Sequence, residues 1–336
     1  MRISVLDQSP ISEGSTGGDA LRNSLDLCRL ADRLGYHRYW VAEHHGTPML
    51  ACASPEVLIG PLAAATSRLR IGSGGVMLPH YSPLKVAESF SMLSALCPDR
   101  IDLAVGRAPG SDTTTMFALQ RDRRYLLPDD FTDQLSELSG YLQRSLPADH
   151  PFARLSALPG GSARPDLWLL GSSPQSGLWA AERGLPYAFA DFINPAGRDI
   201  ATHYRRTFQP SSWRTSPEVI VAVWVVCAET NERARELAAS AAMSFKLLQR
   251  GVLIPVPPVE KAQQFLDDER AREGEGGSGL RSRRRIVGDP ETVRRGLEDV
   301  VRDYEADELM IVTITFDHAA RRRSYELVAG AFGLNA

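Results

Sequence analysis

Leu69-Arg70-Ile71-Gly72-Ser73, then Pro83 to Leu96, then Ile101-Asp102-Leu103-Ala104-Val105, read as strand, helix and strand. The outer two are short apolar runs bounded by turn residues. The middle one carries apolar side chains at helical spacing behind a proline in the first turn. Outward from this unit the pattern repeats. Before it stand a strand at Ile3 to Leu6 and a helix opened by Gly17-Gly18-Asp19 and stopped by Gly35. A strand at Tyr39 to Ala42 and a helix from Pro55 to Ala65, with Ser54 as N-cap, follow. After it come a helix near Asp130 to Leu146, strands at Leu167 to Leu170 and Tyr187 to Ala190, and helices at Pro174 to Arg183 and Ala196 to Thr207. The strand Val219 to Cys227, the helix Glu229 to Leu248, the helix Pro290 to Tyr304, the strand Glu308 to Thr315 and the helix Arg321 to Ala331 complete the chain.

Eight strands, each followed by helix, predict a parallel sheet. Eight such units in a chain of 336 residues predict one closed (β/α)8 TIM barrel over 1–336. A doubly wound open sheet is the alternative, but no GxGxxG follows the first strand. Two insertions interrupt the pattern, one after strand four (Arg107 to Asp129) and one between strands seven and eight (Gly251 to Asp289). The second contains the glycine-rich Arg272 to Gly279 and the arginine-rich 281–285. No hydrophobic period survives there, so 251–289 is expected to be a mobile lid.

Composition excludes several classes. A formal charge of -3 and a pI near 6.2 do not fit a basic nucleic-acid binder. The apolar run Val219 to Ala228 is too short to span a membrane. The N-terminus has no signal-peptide core, which leads to a cytoplasmic expectation. Cys28, Cys52, Cys97 and Cys227 have no metal-finger spacing and read as reduced thiols.

In such a barrel the chemistry sits at the C-terminal ends of the strands. The loops to read are therefore Asp7-Gln8-Ser9-Pro10, Glu43-His44-His45-Gly46, Gly74 to His80, Gly106-Arg107-Ala108-Pro109-Gly110 and Gly171 to Ser176. Adjacent histidines at a strand end point to opposite faces, so at most one of His44 and His45 looks inward. No companion set with metal-ligand spacing appears, and no metal is expected. Gly171, Ser172, Ser173 and Ser176 join a strand to a helix opened by Pro174. Free N–H groups and hydroxyls there either cap the helix or bind an anion. Arg107 ends the neighbouring strand, where its fork could hold the same phosphate. Gly74 and Gly75 stand where the chain makes a turn or lies against a flat ligand.

Trp40 to His45, Ile71 to Pro79, Pro83 to Glu88 and Asp99 to Arg107 together resemble the bacterial-luciferase-like flavin monooxygenases. The resemblance covers residues 1 to about 110, Leu167 to Phe192 and Asp307 to Thr313. Asp7-Gln8-Ser9-Pro10 and Gly106 to Gly110 are most similar to the polyketide-tailoring subgroup that includes the mensacarcin-pathway enzyme. The resemblance implies FMN in the barrel mouth, with Arg107 and the Gly171 to Ser176 loop on its phosphate. It implies a cis peptide at Gly74-Gly75 against the ring, and His44 as the acid–base residue. It further implies that reduced FMN and O2 form a C4a-hydroperoxide that oxygenates a small organic, aromatic or polyketide-like substrate. A separate NAD(P)H:flavin reductase would supply the flavin, and the protein would be a homodimer. The alternatives are an F420-dependent oxidoreductase of the same superfamily and a non-catalytic flavin-binding protein. Gly106 stands where luciferase proper has cysteine, and Asp191 where many relatives have histidine.

Overall fold

The computed structural model describes residues 1–107, 112–120, 123, 129–155, 157–273 and 284–334. The strands are β1 (Arg2–Asp7), β2 (Arg38–Val41), β3 (Arg70–Met77), β4 (Ile101–Gly106), β5 (Asp166–Gly171), β6 (Tyr187–Ala190), β7 (Val219–Cys227), β8 (Arg285–Gly288) and β9 (Glu308–Val312). Eight of them close in the order β1-β2-β3-β4-β5-β6-β7-β9, with β9 returning to β1 and every pairing parallel. The expected (β/α)8 barrel is therefore present. The ninth, β8, lies outside the ring, paired with the upper end of β7 from Trp224↔Arg285 to Cys227↔Gly288. Only four residues long and beside an arginine run, it carries no alternation that could have announced it.

The helices are α1 (Gly17–Leu34), α2 (Pro55–Ala64), α3 (Pro83–Leu96), α4 (Thr113–Leu119), α5 (Phe131–Gln143), α6 (Pro174–Glu182), α7 (Arg198–Thr207), α8 (Asn231–Gln249), α9 (Val259–Glu273), α10 (Pro290–Tyr304) and α11 (His318–Phe332). Local chemistry sets their ends. Thr16 and Asp19 form a reciprocal capping box on α1, and Gly35 ends it in the left-handed region at φ 82°. None of the described helices is long and apolar enough to cross a membrane.

The stretch 251–289, expected to be irregular throughout, is corrected in part: α9 is a helix packed on α8. Ala262 is fully buried against Ala239 and Met243, flanked by Phe265 and Leu266. Glu269 lies under Lys246 and Arg250, accepting from Lys246 Nζ at 3.1 Å. That apolar stripe is too narrow to stand out among ten charged or amide side chains. The glycine- and arginine-rich residues 274–283 lie outside the described residues, as do Ala108, Pro109 and Gly110.

Alternation along the strands sorts side chains into two cores. Ile3, Val5, Tyr39, Val41, Leu103 and Leu167 face the helices. Leu6, Trp40, Ala104, Trp168, Ile220 and Met310 fill the lumen. Below them the lumen is charged. Arg38 donates to Asp102 (2.8 Å) and to both Glu308 oxygens (3.1 Å each), and its guanidinium lies 4.8 Å over the Trp168 ring. Arg70 and Trp40 Nε1 complete the shell of Asp102 at 2.9 and 2.8 Å, and Ser4 donates to Glu308. Burial alone would raise the Asp102 carboxyl, but Arg38 and Arg70 hold it below the usual carboxylate range. This floor seals the N-terminal end and leaves the C-terminal end open.

Candidate active site

Above the Leu6, Trp40 and Met310 layer lies a cavity of about 480 Å³ at the C-terminal ends of the strands. Seven of the residues singled out in the sequence line it: His44, Gly74, Arg107, Gly171, Ser172, Ser173 and Ser176. They come from four strand ends, β2 to β5, and the first turn of α6.

At the β4–β5 side the arrangement is cationic and rich in donors. Arg107 reaches from the end of β4, stacked 5.3 Å over Trp179 of α6 and paired with Asp129 at 3.1 Å. Ser173 caps α6, and Ser176 Oγ meets the Tyr187 hydroxyl at 2.9 Å. A Cβ on Gly171 would come within 2.5 Å of the Ser176 Cβ, so only glycine lets the strand turn this tightly onto the helix. Asn194 Nδ2 donates to the Ser172 carbonyl at 2.8 Å and fixes the loop from the far side. Sequence reading missed Asn194 and Trp179, since neither stands in a recognisable pattern. An exposed guanidinium and a helix N-terminus on one cavity wall fit a phosphate group.

The β1–β3 side is apolar and uncharged. His44 turns inward, while His45 turns away and bonds Glu43 at 2.7 Å. Glu43 in turn accepts from the Met77 amide and the Tyr81 hydroxyl, each at 3.0 Å, and so ties the ends of β2 and β3 together. His44 Nδ1 is buried without a hydrogen-bond partner among the described residues. Burial, with a smaller contribution from His45, lowers its pKa to about 4. Burial thus favours the neutral imidazole at pH 7, which keeps one N–H and can take up one more proton at its other ring nitrogen.

An NMR titration of the protein without ligand should place the His44 midpoint near pH 4, not at the ordinary value of 6.5. His37, depressed by burial to about 4, behaves alike. Between pH 6.5 and 4 the unfolded chain binds protons that the folded one refuses, so stability should fall as pH falls through that window. Unfolding curves at pH 7 and 4.5 check the sign.

The peptide bond between Gly74 and Gly75 is cis, as the family resemblance implies. Gly74 lines the cavity, and a Cβ there would stand 2.6 Å from Leu6 Cδ1 and 3.0 Å from Trp40 Cβ. Gly75 does not line it. The β3–β4 register skips Gly75 as a bulge, and a Cβ there would meet the Ala104 carbonyl at 2.6 Å. Asp191 is also away from the cavity lining: it is fully buried, bonded by the Tyr304 hydroxyl at 2.6 Å, with Arg284 at 3.5 Å. Burial raises its pKa.

The family model for luciferase-like monooxygenases matches residues 1–307. This chain belongs to the luciferase-like monooxygenase family. It is 42% identical to the luciferase-like monooxygenase of Escherichia coli (strain K12) over 327 residues, 97% of this chain and 95% of that protein. It is 37% identical to the N-acetyl-S-alkylcysteine monooxygenase of Bacillus subtilis (strain 168), covering 98% of each. Among solved structures it matches apo-MsnO8 with a TM-score of 0.88 and 42% identity, covering 99% of both chains.

Proposed function

We propose that this luciferase-like monooxygenase uses reduced FMN and O2 to oxygenate a small organic substrate in the cavity described above. One observation carries the reading. A single cavity holds a guanidinium beside a helix N-terminus at one end and an uncharged imidazole among apolar walls at the other. The residues fit the cofactor. Arg107 with Gly171, Ser172, Ser173 and Ser176 would hold the phosphate, and Gly74 keeps the chain flat enough over Leu6 and Trp40 for a ring to lie on it. Reduced FMN would supply the two electrons with which O2 is split, one oxygen atom passing to the substrate and the other to water.

The chain's own part is to bind, to exclude water and to manage protons. His44, neutral at working pH, is placed to take a proton from the reacting partners. Phe192, Ile193, Ile220 and Ala222 face an apolar or aromatic substrate of the polyketide type. The sequence carries no dinucleotide fingerprint, which supports a separate NAD(P)H:flavin reductase. Val57, Met92 and Leu96 on α2 and α3 are 70%, 53% and 76% exposed, which supports a homodimer formed through these helices.

Arg107→Ala should weaken FMN binding by about 1.5–3 kcal/mol, the worth of a charge-assisted hydrogen bond. Riboflavin, which has no phosphate, should lose far less. Fluorescence titration of both flavins decides: equal losses would remove the phosphate from this end.

A further inference from the structure

Gln8 is the one part of the opening loop that faces the cavity. Along β1 the side chains alternate, so Asp7 turns outward and Gln8 inward. Asp7 is fully buried and fully engaged, taking bonds from Arg321 (2.6 Å), the Tyr39 hydroxyl (2.5 Å) and the Ser9 amide (2.7 Å). Ser9 also faces away, its Oγ 2.8 Å from that of Ser24, and it sits in the left-handed region at φ 48°. The backbone on both sides of Gln8 is therefore fastened to the outer shell. This fastening holds the Gln8 side chain in the lumen, where it lines the cavity with Leu6, Trp40, Ala42, His44 and Gly74.

The residue is only 6% exposed, yet its carboxamide makes no hydrogen bond to any described residue. A primary amide has two donors and an acceptor. The carboxamide faces the open cavity with all of these groups unused by the described residues, and a polar group so placed in an apolar pocket is available to a ligand. The β1–β2 register ends at Asp7↔Val41, next to Gln8, and His44, whose Nδ1 has no hydrogen-bond partner among the described residues, lines the same cavity. Gln8 and His44 are thus two polar groups on a wall otherwise formed by Leu6, Trp40, Ala42 and Gly74.

Their position selects the ligand group. In the closed ring β1 and β2 lie opposite β5 and β6. With the phosphate at Arg107 and the α6 N-terminus, the ring of a bound flavin would extend past Gly74 toward the β1–β2 wall, where Gln8 lines the cavity. Of the ring's two ends, one is a dimethylbenzene, which would leave the Gln8 carboxamide unpaired. The other is an imide, with carbonyls flanking an N–H, and complements a carboxamide donor for acceptor. We propose that Gln8 is a flavin-binding residue that hydrogen-bonds the imide edge of the ring. The inference rests on the flavin reading given above.

The probes are riboflavin and N3-methylriboflavin, in which the imide N–H is blocked, titrated against the full chain and Gln8→Leu. Wild type should bind riboflavin about tenfold more tightly than its N3-methyl derivative, the worth of one hydrogen bond in a dry site. In Gln8→Leu riboflavin should weaken by about the same factor, and the two ligands should bind equally. Because Gln8 bonds no described residue, Gln8→Leu should melt no lower than wild type, which separates lost recognition from lost folding. The same riboflavin preference in both proteins, no preference in wild type, or a lower melting temperature in Gln8→Leu would overturn the assignment. If wild type binds neither riboflavin nor FMN, the flavin reading fails; if it binds both and only the N3 preference is missing, this inference alone fails.

Discussion

His44→Ala should lower turnover roughly 10²–10⁴-fold, the usual range for a general acid–base group, while FMN affinity changes little. The residues proposed to hold the phosphate, Arg107 and the α6 N-terminus, lie at the β4–β5 side of the cavity, so losing the imidazole leaves them intact. The rise in peroxide released per reduced flavin distinguishes a proton-managing role from simple packing, because oxygen that is not passed to substrate leaves as H2O2. The pH profile is a second signature. A base held at about 4 stays available from pH 8 down to 6 and is lost as pH falls through its midpoint, so the His44-dependent rate should be flat above 6 and fall below about 5. Stopped-flow oxidation with product and peroxide both counted makes the comparison. An unchanged product yield in the mutant would leave His44 as a cavity wall only.

Arg38→Met should destabilise the fold by about 3–5 kcal/mol, the cost of removing one partner from a buried ion cluster. The side chain is 3% exposed and is the link between Asp102 and Glu308, both fully buried. Methionine fills much of the volume, so the loss measures two carboxylates left short of counter-charge rather than a hole. Arg70 still faces Asp102, whereas among the described residues Glu308 keeps Ser4 and the more distant Arg2, at 3.5 Å, and His37, at 3.9 Å. Urea unfolding at pH 7 gives the number. A change below about 1 kcal/mol would mean that the floor is not a stability element.

The barrel itself was legible because its information is periodic and local. Prolines at the first turns of α2, α3, α6 and α10, and apolar runs between them, mark the units without reference to distant residues. The cavity residues were legible for a related reason, since strand ends in a barrel converge whatever lies between them. What was not legible depends on distant pairings. Arg38, Asp102 and Glu308 sit in strands that read as apolar, and only barrel closure brings residues 270 apart into contact. Asn194 could not be found because its role is to bond a backbone carbonyl, which leaves no mark on its neighbours in sequence. Gly75 was grouped with Gly74, although the bulge at this point turns the two glycines to different surroundings. The helix α9 was hidden by its charge, since four apolar side chains hold it to α8.

We propose that this cavity takes reduced FMN and directs its reaction with oxygen. The direct test is anaerobic titration of the protein with reduced FMN, then mixing with O2 while oxygen and H2O2 are followed together, with F420 titrated in parallel. Saturable binding of reduced FMN, oxygen consumed well before peroxide appears, and no comparable affinity for F420 are expected. Peroxide that appears in step with oxygen loss at the rate of free flavin, with tight binding of F420, would contradict the proposal.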